Sequence, residues 1–109
     1  MNFCDLYSLW LHRLIAEKLR DDPDTVIGIA RGNLRRWLSS EAFFEGAGRR
    51  ALLEWVEILD THTYDEIIAI LTEETDEGQR LRSSTPFPGI LTKQERDVIW
   101  KKCAEIVPV

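Results

Sequence analysis

The sequence predicts an all-α fold: a compact single-domain bundle of five or six helices over residues 1–109, with a proline-rich loop before the last helix. Three observations predict it. Apolar residues recur every three or four positions along most of the chain, which gives each segment one apolar face as a helix. No useful length alternates apolar and polar residues as a half-buried strand would. The β-branched runs at 26–30 and 67–71 each lie inside a longer helical pattern. Helix-start signals stand at the breaks: Asp22-Pro23-Asp24, then Thr63 with Glu66, then Thr92 with Glu95.

Helix one runs to about Leu19, with Phe3, Leu6, Tyr7, Trp10, Leu11 and Leu14 as its inward face. Asp5, Ser8, His12 and Arg20 are expected outside. Helix two spans Pro23 to Leu38 and turns Val26, Ile27, Ala30, Leu34, Trp37 and Leu38 inward. Its outer side carries Gly28, Arg31, Gly32, Arg35 and Arg36. Each interior glycine costs a helix about 1 kcal/mol relative to alanine, which a close backbone approach would offset. Residues 39–48 form a connector with at most one helical turn. Helix three, Ala47 to Leu59, buries Leu52, Trp55, Val56 and Leu59, and Arg50 is spaced to pair with Glu54. Thr63 opens a short fourth helix with Tyr64, Ile67, Ile68 and Leu71 inward. The polar stretch Glu73 to Arg82 is a short fifth helix. Thr92 opens the last one, which runs to about Ile106 on a stripe of Ile99, Trp100, Cys103, Ile106 and Val107.

A 109-residue chain buries roughly two-thirds of its unfolded surface, enough for one core without staples. The hydrophobic content is 44% and the charged content 30%, as in soluble globular domains. No apolar run reaches the length of a membrane span, and the first residues read as helix and not as a signal peptide. A cytoplasmic location is expected. Cys4 and Cys103 match no metal motif, and reduced thiols are the expectation for that compartment. The net charge of −5 argues against generic nucleic-acid binding, which needs cations facing phosphates.

Few residues are spaced for chemistry. His62 lies between Asp60 and Asp65, a pattern that would suit a general base or a ligand but that reads foremost as a solvated turn beside a helix start. The acidic run Glu73 to Glu77 lacks the glycine and the distal glutamate of a calcium loop. Phosphate-loop, dinucleotide and metalloprotease signatures are absent. No catalytic residue, cofactor ligand or metal ligand is assigned.

The segment Arg80-Leu-Arg-Ser-Ser-Thr-Pro-Phe-Pro-Gly-Ile-Leu-Thr92 stands out between two charged helices. Pro86 and Pro88 fix the backbone about Phe87, and Gly89 allows a sharp turn. This loop reverses the chain and locks the last helix, with Phe87 as a plug into the core. The same rigidity suits a preorganised contact with a partner. The partner-binding candidates are therefore Arg31, Arg35 and Arg36 on helix two, and Arg80, Arg82, Ser83, Ser84, Thr85 and Phe87 at the loop. Arg96, four residues before Trp100, is expected at the core edge.

The stretch LHRLIAEKLRDDPDTV, the later LLEWVEIL and above all the Arg80–Arg96 block resemble a group of small all-helical bacterial proteins of the antitoxin-like type. Their block reads Arg-Leu-Arg-Ser-(Ser/Thr)-(Ser/Thr)-Pro-Phe-x-Gly-(aliphatic)-Leu-(Ser/Thr)-x-x-Glu-Arg, and Pro88 stands here where alanine is usual. The resemblance implies a protein partner, a nucleotidyltransferase-like toxin encoded by an adjacent gene, and transfers no catalytic role. The expected function is thus a non-catalytic, neutralising partner-binding protein. Two alternatives stay open: a DNA-binding regulator using the basic face of helix two, and an enzyme or nucleotide binder with a dispersed site. The oligomeric state is not legible.

Overall fold

The computed structural model describes residues 1–108. Among them lie six α-helices: α1 (Phe3–Asp21), α2 (Pro23–Leu38), α3 (Ala47–Thr61), α4 (Tyr64–Thr72), α5 (Asp76–Arg82) and α6 (Lys93–Ile106). A single 3-10 turn, Glu41–Phe43, interrupts the connector between α2 and α3. The predicted all-helical class holds, and no helix among the described residues is long and apolar enough to cross a membrane.

The helix starts follow local chemistry. Asp22 accepts the backbone N–H of Thr25 at 3.3 Å, with Pro23 opening α2. Thr63 and Glu66 form a reciprocal capping box on α4, and Thr92 and Glu95 form another on α6. In each, the threonine hydroxyl accepts the third N–H and the glutamate accepts the threonine N–H, so two donors without helical partners are satisfied. Thr75 caps α5 in the simpler way.

The core is built from α1 to α5 and the loop after α5. Ile15, Ala16 and Leu19 of α1 meet Val26, Ala30 and Leu34 of α2, Trp55 and Leu59 of α3, Ile67 and Leu71 of α4, and Leu81, Phe87 and Leu91. Helix α6 lies against α1, where Ile99 and Cys103 are buried. Both cysteines are free thiols, Cys4 exposed and Cys103 buried.

Two expectations about faces need correction. The inward side of α1 is Leu9, His12, Ile15, Ala16 and Leu19, while Phe3, Leu6, Tyr7, Trp10, Leu11 and Leu14 are only half-buried. Helix α1 touches α2, α4, α5 and α6, so most of its circumference is covered and the widest apolar stripe does not mark the centre. The tryptophans are not all central either: Trp55 is fully buried, but Trp100 is 42% exposed. The bare outer positions of Gly28 and Gly32 meet nothing, so no close backbone approach explains them.

Candidate functional site

The loop between α5 and α6 is held from three sides. From α2, the Asn33 side-chain amide donates to the carbonyls of Pro86 at 3.0 Å and Pro88 at 2.8 Å. Arg36 in turn donates to the Asn33 side-chain oxygen at 2.6 Å, which fixes the amide's orientation. From α3, the Trp55 indole N–H donates to the Leu81 carbonyl at 2.9 Å, and its ring meets Phe87 edge-on at 5.8 Å. Gly89 turns the chain with a φ of 92°, a left-handed value that penalises a side chain.

The third hold comes from Arg82. Its guanidinium is drawn inward, and one nitrogen donates to the carbonyls of Ile70 at 2.9 Å and Glu73 at 2.7 Å. These are carbonyls at the end of α4 that lack helical partners, so Arg82 closes that end in place of a C-cap glycine. Gly78 makes the passage possible: a Cβ there would stand 2.8 Å from the Arg82 Nη1 and 3.0 Å from the Glu73 carbonyl. Burial lowers the Arg82 pKa, as expected for a cation taken from water.

The structure therefore splits the predicted contact residues. Arg82 and Phe87, 3% and 1% exposed, are interior and offer no side chain to a partner. Phe87 takes the expected place as a core plug, filling space beside Trp55, and is not a surface contact; Arg82 is corrected from candidate contact to loop anchor, since carbonyls replace its water. Ser83 donates to the Arg80 carbonyl, Ser84 to the Leu81 carbonyl, and the Thr85 hydroxyl accepts the Phe87 N–H. All three hydroxyls serve the turn. Arg31 pairs with Asp60 at 2.6 Å and reaches the Leu59 carbonyl, bridging α2 to α3. Arg80 forks onto Glu54 at 2.9 Å and also holds Glu77, keeping that carboxyl below the usual range. The expected Arg50–Glu54 pair gives way to this bidentate contact. The Arg35 side chain is exposed and has no hydrogen-bond or ion-pair partner among the described residues, while its carbonyl accepts the Ser39 hydroxyl. Arg96 donates to the Leu91 carbonyl at 2.8 Å, so its stem covers the edge of the loop.

Two surface features escaped sequence reasoning. The first is an open groove of about 640 Å³ between α1 and α6, lined by Trp10, Leu14, Val98 and Ile99 with Arg13, Glu17, Glu95 and Lys102 at its edges. Val98 is 52% exposed there. The edge-on Phe3–Trp100 contact, at 5.5 Å, extends the apolar surface of this helix pair beyond the groove. The second is a smaller cavity of about 300 Å³ under the proline loop, with His12 in its wall. His12 is 3% exposed, not on the polar side as expected. Its Nδ1 lies 2.6 Å from the Ser8 carbonyl and must donate to it, so the neutral ring carries a bare lone pair on Nε2. That Nε2 is buried without a protein partner. Burial above all, opposed by the Ser8 bond and helped by nearby Arg82, lowers the His12 pKa to about 4. A signal was present: Leu9, His12, Ala16 and Leu19 recur at three- and four-residue steps, which puts the histidine in an apolar row.

His62 sits exposed at the end of α3, its Nδ1 2.9 Å from the Thr61 hydroxyl. No group of three His, Cys, Asp or Glu side chains placed to hold a metal occurs among the described residues. No protein-family model, curated protein or solved structure matches the chain.

Proposed function

We propose that this chain is a non-catalytic partner-binding protein, the antitoxin-like, neutralising member of a bacterial toxin–antitoxin pair. The observation that carries this reading is the apolar groove between α1 and α6. Exposed apolar surface rimmed by charges marks interaction sites. Its occupant is an apolar helix or strap of the toxin, anchored in the groove as amphipathic helices dock elsewhere. The net charge of −5 favours a basic partner, such as an enzyme surface that handles nucleotides. The arginine-flanked loop supports the reading through shape, since its anchors fix α6 against the body of the protein.

The two alternatives have weaker support. A regulator would need the basic face of α2, but Arg31 is bound to Asp60 and Arg36 to Asn33. An enzyme with a dispersed site would need converging polar groups, and the groove is mainly apolar.

The test is co-expression with the product of the neighbouring gene. A copurifying complex that relieves toxicity is expected. Val98→Asp should break the complex, while Leu53→Asp, a change at another exposed apolar position, on α3, should leave it intact. Failure of the wild-type chain to bind or neutralise its neighbour overturns the proposal.

A further inference from the structure

The groove between α1 and α6 carries a charge pattern that the toxin reading leaves unused. One wall is the face of α1 that holds Trp10, Leu14 and Glu17, at helical spacing. The other is the face of α6 that holds Val98, Ile99 and Lys102. An ion pair between Lys18 and Glu95, at 2.9 Å, joins the two helices at one end of the groove. Glu17 is next to that end, and Lys102 lies two turns beyond Glu95, about 10 Å along α6. Glu17 and Lys102 are both exposed, and neither has an ion-pair partner among the described residues. Arg13 and Glu95, the other charges at the edges, are each paired within the chain. The rim thus balances, Arg13 and Lys102 against Glu17 and Glu95, although the whole chain carries −5. A second copy of this rim can approach without net repulsion.

We infer that, while no protein partner fills it, this groove is covered by a second copy of the same chain in a two-fold dimer. A two-fold interface is self-complementary: where one residue meets another, the reverse contact is made as well. With opposite charges at opposite ends, antiparallel placement of the two grooves sets Glu17 of each copy against Lys102 of the other. Val98 stands between those charges and is 52% exposed, so it is the ridge that enters the apolar groove of the other copy. A toxin segment in the groove displaces the second copy, so self-association competes with neutralisation. The inference rests on the groove being the contact face, as the toxin reading does, but its test needs this chain alone, so the two fail separately.

The experiment is sedimentation of the purified chain between micromolar and millimolar concentrations. A reversible monomer–dimer equilibrium is expected, and Val98→Asp should abolish it. Glu17→Lys alone sets lysine against lysine twice per dimer, and Lys102→Glu alone sets glutamate against glutamate. Each should weaken the dimer by about ten-fold, the size expected when two exposed pairs turn from attraction to repulsion. The double variant, Glu17→Lys with Lys102→Glu, rebuilds both pairs with the signs exchanged and should return to near wild-type affinity. All of these positions are exposed, and circular dichroism confirms that each variant is folded. A wild-type chain that stays monomeric throughout overturns the inference. So does a dimer that Val98→Asp leaves intact, or single variants whose loss the double variant does not restore.

Discussion

The side-chain amide of Asn33 on α2 donates to the carbonyl of Pro88, 55 residues further along the chain, and to that of Pro86, 53 residues away. One polar side chain thus ties a middle helix to the loop that launches α6. Asn33→Ala removes three bonds and leaves two carbonyls and Arg36 without their partner. A loss of about 2 kcal/mol is expected, measured by urea unfolding. Asn33→Asp should be worse than Ala, because an acceptor then faces two acceptors; equal or greater stability for the aspartate would show that the clamp is not formed.

Arg82 and Gly78 act as a pair. Arg82→Met keeps most of the stem and removes the donors to Ile70 and Glu73, which should cost about 3 kcal/mol and fray the end of α4 in amide hydrogen exchange. Gly78→Ala should destabilise by 1 kcal/mol or so despite a better helix propensity, since its Cβ meets the guanidinium and a backbone carbonyl. Stabilisation by alanine at this site would count against the buried route of Arg82.

Two other glycines should respond in opposite directions. At Gly28 an added Cβ meets nothing within 4 Å, so Gly28→Ala should stabilise by about 1 kcal/mol. At Gly89 the left-handed φ of 92° makes Gly89→Ala unfavourable by about 1 kcal/mol or more. Paired thermal melts read both signs directly.

The buried His12 sets a pH dependence. Its pKa is about 4 in the folded chain and 6.5 in the reference state, so the unfolded chain takes up the proton first. Stability is fully present above pH 6.5, falls as pH drops through the window from 6.5 to about 4, and levels below it. The total is roughly 3 kcal/mol at about 1.4 kcal/mol per pH unit. The carboxylates of Glu66, Glu77, Glu95 and Asp97, all held below their ordinary range, lose their contributions at lower pH than where this fall begins. Unfolding free energies should therefore decline for the wild-type chain as pH is lowered from 7 to 5, at up to about 1.4 kcal/mol per pH unit, and stay nearly flat for His12→Gln. A wild-type curve as flat as the variant's would mean that His12 is not buried neutral.

Helix positions and their caps were legible in the chain because they depend on neighbours a few residues away. Asp22 and Pro23 mark α2, and the Thr63–Glu66 and Thr92–Glu95 boxes mark α4 and α6. The all-helical class followed from the same local spacing. The tertiary structure alone decided that His12 lies inside and most of the Phe3–Leu14 stripe at the rim, because burial on α1 depends on how many other helices surround it. It also decided the fate of the arginines. A long flexible side chain goes wherever carboxylates or spare carbonyls can replace its water, so Arg82 turned to α4, Arg80 to Glu54 and Arg31 to Asp60. Those partners lie from about ten to thirty residues away in the chain, beyond the reach of any periodic pattern.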